Sequence, residues 1–324
     1  MYLIGIVVSI VILVWIGFKV DFSLLLKSFA ELDSYWVLLM TVIYLAGFLV
    51  RGLRSKYMLT PLKEVAFKSA VESVIVGYMA NSIFPARAGE FIRAIFLGKK
   101  ESMSKTSVLG TVLIERVFDG LVLVAIMIIC SLLLKPVGIN YGLINAIIVT
   151  GCLIFGIAIG FIIVGAYRRL WLEAHLARLT NYLPDKLSER LLPIITNLLN
   201  SFNFVSTYKT LFMVLALSII VWTIEGLVFW TGLIAFHFPP QFIIAYFTLA
   251  LVNLWMILPS APGGVGVFQG ANVFAFSFFG LAPEKALSFS IVVHAVMIIS
   301  VTLIGLFIIN KYSFSMRKIK LDSY

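Results

Sequence analysis

Charged residues are scarce in this chain. Only 12% of the 324 residues are Asp, Glu, Lys or Arg, whereas 61% are hydrophobic and the mean hydropathy is +1.08. A water-soluble globule needs more polar surface than this composition supplies, and apolar runs recur from residue 1 to residue 310. We therefore expect an integral membrane protein, and this composition disfavours an enzyme with a large aqueous active site.

Cysteine and histidine are also rare. Cys130 and Cys152 lie in apolar runs without CxxC spacing, which is typical of buried packing residues and not of a disulfide or a metal site. The three histidines are scattered, and the sequence contains no nucleophile elbow and no P-loop. We predict no metal ion and no cofactor. The net charge of +10 favours anionic membrane phospholipid as a partner over nucleic acid.

Two kinds of apolar segment are present. A spanning helix takes about 20 mostly apolar residues. Six segments approximately meet this length, namely 1–18, 35–50, 108–134, 141–166, 210–236 and 287–310. Two further stretches, 69–98 and 242–282, are interrupted by polar turns that contain proline and glycine. We predict broken or re-entrant helical hairpins there, because the short helix after the first turn covers only about half of the hydrocarbon core.

The basic residues predict how these segments are oriented. If each broken stretch enters and leaves on one side, the regions 51–68, 99–107, 167–209 and 311–324 are cytoplasmic and hold 18 Lys and Arg, against four on the opposite side. Both termini of this multi-pass protein then face the cytoplasm, and we expect the plasma membrane of a prokaryote. The two hairpins enter from opposite sides, which makes them an inverted repeat of the kind common in transporters.

We therefore expect an all-α polytopic membrane protein with a single transmembrane domain over residues 1–324. Its first half is 1–166 and its second half is 210–312, each with one hairpin. Between them, residues 167–209 carry charged residues among leucines, which favours amphipathic helices on the cytoplasmic face; a solvated linker is the alternative. Residues 313–324 form a basic cytoplasmic tail.

The turn of the first hairpin contains the first candidate binding site. Proline and glycine interrupt the helix, so free amides at the start of the second half-helix point into the membrane with the positive end of its dipole. Arg87 can donate a forked pair of hydrogen bonds to a phosphate. Alternatively, the arginines extend to lipid phosphates at the interface, and Glu90 pairs with Arg93. The candidates here are Asn81, Arg87, Glu90 and Arg93.

A second candidate site lies in the span 108–134. Glu115 and Asp119 are four residues apart and share one helical face, and Arg116 lies about 100° away from Glu115. Two carboxylates on one face repel each other unless a cation or a proton lies between them. The cation would be an arginine of the hairpin, Arg116 itself or a substrate amine. The pattern fits a substrate site and also fits a structural salt-bridge network.

The second half of the chain has few polar residues inside its spans. Glu225 has no charged residue within ten positions, so we expect it to be protonated and to be a candidate for proton coupling; a neutral carboxyl group that bonds to a neighbouring helix is the alternative. We interpret His294 as a packing residue, and a role in relaying protons or contacting a substrate is the alternative. The second turn supplies further candidates for binding a polar group, namely Asn253, Gly263, Gly264, Gly266 and Gln269.

Three motifs together suggest a family. They are Asn81-x-x-x-Pro85-x-Arg87-x-Gly89-Glu90-x-x-Arg93, Glu115-Arg116-x-x-Asp119 and Pro259-x-x-Pro262-Gly263-Gly264-x-Gly266. In this order, they resemble the flippase-like transmembrane region of lysylphosphatidylglycerol synthases over about residues 1–312. The resemblance implies that the chain moves aminoacylated phosphatidylglycerol between leaflets, while a separate soluble domain attaches the amino acid. We find no such domain and do not expect synthase activity, and Gln269 stands where the family pattern has an acid.

The sequence thus predicts a lipid flippase and not an enzyme. An anionic or aminoacylated headgroup would cross through a cavity between the two hairpins. Phosphate would be held by Arg87, Arg93 and Arg116. The remaining charged candidates would balance these arginines, accept a cationic headgroup or carry protons; they are Glu90, Glu115, Asp119 and Glu225. A membrane-embedded transferase or its accessory subunit, acting on a polyprenyl-phosphate lipid, is one alternative, and a structural membrane subunit is another; a homo-oligomer is left open.

Overall fold

The computed structural model describes residues 2–84, 87–134, 141–180, 182, 184–202, 208–257 and 260–312. Within these ranges the chain forms α-helices and short turns and contains no β-strand, in keeping with the need to satisfy backbone groups inside lipid. The helices in the described ranges are α1 (Tyr2–Gly17), α2 (Phe22–Ala30), α3 (Ser34–Leu59), α4 (Phe67–Ile83), α5 (Gly89–Lys100), α6 (Lys105–Leu133), α7 (Tyr141–Tyr167), α8 (Arg169–Thr180), α9 (Asp185–Asn200), α10 (Tyr208–Ala235), α11 (Phe242–Trp255), α12 (Val267–Ser277) and α13 (Pro283–Lys311).

Five of the described helices are long and apolar enough to cross a bilayer, namely α3, α6, α7, α10 and α13. A sixth span is obtained when α1 and α2, which meet at a bend of 91°, are taken together as one broken span. The chain is therefore an all-α, multi-pass membrane protein, as predicted. The division into two halves, the cytoplasmic side and the plasma membrane location stay predictions, and the tail 313–324 lies outside the described residues.

Helix α3 extends further than the sequence predicted. It ends at Leu59, whereas the expected span 35–50 left Arg51 and Arg54 in a cytoplasmic loop. That assignment was wrong, because the two residues are only 2% and 0% exposed and each pairs with a carboxylate on another helix. These ion pairs offset the cost of burying the guanidinium groups, so the buried part of α3 does not end before them.

The first predicted hairpin consists of α4 and α5. The chain leaves α4 at Phe84 in an extended conformation and enters α5 at Gly89, and Pro85 lies between them outside the described residues. A Cβ atom at Gly89 would overlap the carbonyl oxygen of Gly77, so this close crossing of α4 and α5 requires glycine. At the open end, Lys100 contacts Glu72 of α4 and donates to the hydroxyl of Tyr312, just beyond α13. The first hairpin therefore opens at the C-terminal end of α13.

The second predicted hairpin consists of α11 and α12, joined by a turn that includes a 3-10 segment, Pro262–Gly264. Positive φ angles of 69°, 77° and 87° at Gly263, Gly264 and Gly266 explain the glycines of this turn; Pro259 lies outside the described residues. At the open end, Phe247 packs edge-on against two phenylalanines that follow α12. The chain then enters α13, so this hairpin opens at the N-terminal end of α13.

The two hairpin tips meet beside the middle of α13. This helix has 29 residues and is about 43 Å long at 1.5 Å per residue. His294, three residues before the midpoint of this helix, lies with Nε2 2.8 Å from the carbonyl oxygen of Gly263 in the second tip. Arg87 in the first tip donates to the carbonyl oxygen of Met256 in the second, at 2.5 Å. Two half-membrane hairpins inserted from opposite sides, as the sequence predicts, therefore converge in the interior.

The connector 167–209 contains α8 and α9, which pack on the rest of the protein. Leu172 of α8 and Leu199 of α9 are buried in a cluster with Ile114 and Phe118 of α6. Thr196 of α9 also donates to a carboxylate oxygen of Glu173 of α8, at 2.8 Å. The described part of the connector is therefore helical and packed on α6, whereas amphipathic helices at the cytoplasmic face of the membrane stay a prediction.

Candidate functional site

A cavity of about 410 Å³ lies between the two hairpin tips. Its wall combines residues of α3, α4, α5, α6, α10, α13 and the second turn. The polar residues that line it are Tyr44, Arg51, Tyr78, Asn81, Ser82, Arg87, Glu90, Arg116, Trp222, Glu225, Asn253, Ser260 and His294. Because the tips meet at the depth of the middle of α13, these groups are gathered where a bilayer would otherwise exclude them.

Arg87 stands at the first tip with a left-handed backbone, φ 54°. Its guanidinium group donates to the Met256 carbonyl oxygen, a neutral acceptor. Within the described part of the chain, Arg87 forms no ion pair with a carboxylate, unlike Arg51, Arg54, Arg93 and Arg116. A guanidinium group without a counterion at this depth favours an anion as its partner.

Arg51 of α3 and Glu225 of α10 form a buried ion pair at the cavity wall. Arg51 also donates through Nε to the hydroxyl of Tyr78, at 3.1 Å. The expectation that Glu225 is an isolated, protonated acid was therefore based on a wrong premise. Its partner Arg51 lies 174 positions away in the sequence. Its role in proton coupling stays a prediction.

The cation between Glu115 and Asp119 is Arg54. Its Nη1 lies 2.6 Å from Asp119 and its Nη2 lies 2.7 Å from Glu115. Arg93 binds the second oxygen of Glu115 at 2.8 Å, and the indole of Trp222 donates to Asp119 at 3.0 Å. None of Arg54, Arg93, Glu115 and Asp119 lines the cavity. The geometry therefore agrees with the structural-network interpretation of this motif, and it places Arg93 behind the wall and away from the phosphate site expected for it.

Arg116 connects this buried network with the cavity. Its Nη1 lies 3.5 Å from Asp119 and its Nε lies 3.9 Å from Glu90, both longer than a direct hydrogen bond. Its side chain is 29% exposed and lines the cavity. Glu90 also lies 3.5 Å from the amide nitrogen of Asn81, whose oxygen accepts from the Gly89 N–H at 2.8 Å. Arg116 is therefore held less tightly than Arg54 and can turn toward a ligand.

Gln269 and His294 hold the second tip in place. The Gln269 carbonyl oxygen accepts from the Gly266 N–H at 2.8 Å, so its NH2 group faces His294 Nδ1, 3.1 Å away. Nδ1 must then be the acceptor, and Nε2–H donates to the Gly263 carbonyl oxygen. A carboxylate in place of Gln269 could not donate to Nδ1, which explains an amide at this position. Gln269 supports the turn from behind, as does Gly266, since neither lines the cavity.

The candidates from the sequence thus divide into two groups. Those that line the cavity are Asn81, Arg87, Glu90, Arg116, Glu225, Asn253, Gly263 and Gly264. Those that lie behind its wall are Arg93, Glu115, Asp119, Gly266 and Gln269. Sequence reasoning missed Arg51, Tyr44, Tyr78 and Trp222, and favoured a packing role for His294. In the described ranges, no group of three His, Cys, Asp or Glu side chains is placed to hold a metal ion.

The chain is similar to membrane proteins of archaea. Glycosyltransferase AglD of Haloferax volcanii is 24% identical over 333 aligned residues, which cover 93% of this chain and 52% of that protein. The chain thus spans about half the length of this relative. UPF0104 membrane protein MJ1595 of Methanocaldococcus jannaschii is 22% identical over 92% of this chain and 91% of its own length. A UPF0104 membrane protein of Methanothermobacter thermautotrophicus is also 22% identical, over 94% of this chain and 90% of its own length.

The family comparison covers nearly the whole chain. No solved structure matches it significantly. The model of the lysylphosphatidylglycerol synthase transmembrane region matches residues 2–305, which include both hairpins, the buried network and the cavity. The chain therefore belongs to the family of the lysylphosphatidylglycerol synthase transmembrane region.

Proposed function

We propose that the protein is a lipid transporter that moves a polar, anionic headgroup between leaflets through the cavity at the hairpin tips. The observation that carries this proposal is Arg87, an arginine with no carboxylate partner in the described ranges, at the wall of a cavity at mid-membrane depth. Arg87 is exposed to this cavity, and a charge placed at the centre of a membrane costs about 2.5–3.5 kcal/mol on insertion scales. A lipid phosphate would supply the missing counterion and form the forked hydrogen bonds that arginine favours.

The arrangement of the hairpins supports transport over a static anchor. The open ends of the two hairpins lie at opposite ends of α13, and the cavity lies where their tips meet. Broken helices that meet near the midplane are the common basis of alternating access. A headgroup would occupy the polar cavity while its acyl chains stay in the surrounding lipid. Membership of a family named for a phospholipid synthase supports a role in membrane lipid chemistry.

A membrane enzyme is the second candidate. One relative, which covers 93% of this chain, is named a glycosyltransferase. The cavity would then hold a lipid-phosphate acceptor while a sugar is attached. Transfer needs a glycosyl donor, whereas transport needs only lipid, and this difference separates the two candidates.

The test is headgroup translocation in liposomes that contain the purified protein and lipid alone. A tail-labelled phosphatidylglycerol leaves the headgroup unmodified, and its appearance in the opposite leaflet is followed by chemical quenching. We expect the wild type to translocate this lipid, Arg87→Ala to lose at least about 90% of the rate, and Arg87→Lys to retain an intermediate rate because it keeps the charge but not the fork.

Arg178→Ala is the matched control, since Arg178 is exposed on α8. It should translocate lipid at the wild-type rate. Unchanged translocation by Arg87→Ala would remove this arginine from the mechanism. No translocation by the wild type, together with lipid-linked product when a glycosyl donor is added, would favour the enzyme.

A further inference from the structure

We infer that the cavity selects a lipid with one phosphodiester group and an uncharged, hydroxyl-rich headgroup, and that it discriminates against headgroups that carry an ammonium group. This inference rests on the proposed function and names its substrate class. It departs from the aminoacylated lipid that the family resemblance implies. The charge of the cavity wall, its free hydrogen-bonding atoms and its aromatic lining lead to it.

The charge of the cavity wall matches one negative charge. Arg51, Arg87 and Arg116 line the cavity together with Glu90 and Glu225, which leaves a net charge of +1. Arg51 pairs with Glu225, and of the two carboxylates at the wall Glu90 is the one beside Arg116, at 3.9 Å, so the surplus charge is that of Arg87. A phosphodiester brings the site to neutrality. A zwitterionic headgroup leaves it at +1, and an aminoacylated phosphatidylglycerol with two ammonium groups raises it to +2, and an uncompensated charge is unfavourable inside a membrane.

The hydrogen-bonding atoms of the wall match hydroxyl groups. Glu90 and Glu225 are 8% and 3% exposed, and the Oε2 atom of each has no hydrogen-bond partner among the described residues. Both carboxylates lie beside arginines at the same wall, so donors and acceptors alternate there. A hydroxyl group donates to a carboxylate and also accepts from a guanidinium group, whereas an ammonium group only donates. A ligand hydroxyl group can therefore satisfy both partners of an ion pair when rotation of the glutamate side chain brings its buried Oε2 atom to the cavity surface.

The apolar part of the wall matches the carbon skeleton of a polyol. Aromatic rings line the cavity at Tyr44, Tyr78, Phe84, Trp222 and Phe268. Their faces offer apolar surface to C–H groups, while a tyrosine hydroxyl at the wall can orient the ligand. A volume of about 410 Å³ lies at the small end of ligand sites, which run to roughly 1,000 Å³. It suits a headgroup such as glycerol, inositol or one hexose.

Two lipid sources share this chemistry, namely a diacyl phospholipid and a polyprenyl phosphate that carries a sugar. Binding is measured on purified wild type with short-chain lipids, as the dissociation constants for dioctanoyl phosphatidylglycerol, phosphatidylinositol, phosphatidylethanolamine and lysylphosphatidylglycerol. The dissociation constant of a short-chain polyprenyl phosphohexose is measured separately. Whichever of the two lipid types binds more tightly is assigned as the natural source of the headgroup. We expect both polyol phospholipids to bind at least about tenfold more tightly than the two ammonium-bearing lipids, a difference of about 1.4 kcal/mol.

Arg87→Gln tests the reason for this preference. It makes the cavity wall neutral, so the preference for phosphatidylglycerol over phosphatidylethanolamine should fall to within about twofold, whereas Arg87→Lys should keep most of it. The readout is a ratio of two constants on one preparation, so a misfolded fraction does not change it. Equal binding of ammonium-bearing lipids by the wild type, or a full preference in Arg87→Gln, would overturn the inference. Selective binding without translocation would overturn the proposed function and leave the selectivity standing.

Discussion

Replacing Arg54 by methionine should destabilise the protein more than any change at its surface. Arg54 is fully buried and bonds to Glu115 at 2.7 Å, to Asp119 at 2.6 Å and to Ser218 at 3.0 Å. Breaking a buried ion pair by removing one partner costs about 3–5 kcal/mol. Glu115 still pairs with Arg93 in this variant, so Asp119 is the carboxylate that loses its closest cation. We therefore expect a loss near the lower limit, about 3 kcal/mol.

The double variant Arg54→Met, Asp119→Asn separates charge from packing. With Asp119 neutralised, Arg54→Met no longer leaves an unpaired carboxylate, and the amide oxygen of the new asparagine can still accept from Trp222. The double variant should therefore be more stable than the sum of the two single losses predicts, by at least about 1 kcal/mol. An additive result would show that Arg54 contributes through its volume and not through its charge.

The free energy of unfolding is measured by denaturant titration in detergent micelles and followed by tryptophan fluorescence. Arg178→Met on the exposed face of α8 is the control, and it should stay within about 0.5 kcal/mol of the wild type. If Arg54→Met also lies within about 1 kcal/mol of the wild type, the buried network does not hold α3 to α6, and our account of why α3 extends to Leu59 is refuted.

Three further predictions follow from the hairpins. Gly89→Ala should lower thermal stability and translocation together, because its methyl group overlaps the backbone of α4; a wild-type melting temperature would contradict this. Gln269→Leu leaves the Gly266 N–H and the His294 Nδ1 without partners and should lower the free energy of unfolding by about 1–3 kcal/mol. An unchanged free energy of unfolding would show that Gln269 does not support the turn. Cysteines at Gln241 and Lys99 should react with impermeant maleimide from opposite sides of the membrane, and labelling from one side would refute the opposed hairpins.

The spans and hairpins were predictable because their signals are local. Length and hydropathy identify a spanning helix, and proline with glycine inside a short apolar stretch identifies a break. The turn 259–266 shows this directly, since Gly263, Gly264 and Gly266 each adopt a positive φ that other residues resist. None of these signals requires knowledge of a distant residue.

The charge pairs were not predictable in the same way. Arg51 and Arg54 follow an apolar run, and a count of basic residues treats them as loop. Their partners lie 174 and 65 positions away, on α10 and α6, and only the fold brings them together. For the same reason Glu225 looked isolated, because its partner Arg51 is distant in the sequence and close only in the fold. The apolar positions Leu53, Met58 and Leu59, beyond Arg51, were the available sign that the helix continues.

Arg87 and Arg93 show why a motif does not by itself define a site. They lie six residues apart in one pattern, and the sequence assigned phosphate binding to both. Arg87 belongs to the turn, where the backbone is free to direct it into the cavity, whereas Arg93 lies one turn into α5, on the face that packs against α3 and α6. Arg93 is only 3% exposed, does not line the cavity and is held through Nη2 by Ser55 and Glu115, so an incoming phosphate would have to displace the packing around it. Arg87 has to release one neutral carbonyl oxygen, and for this reason we propose Arg87 and not Arg93 as the anion-binding residue.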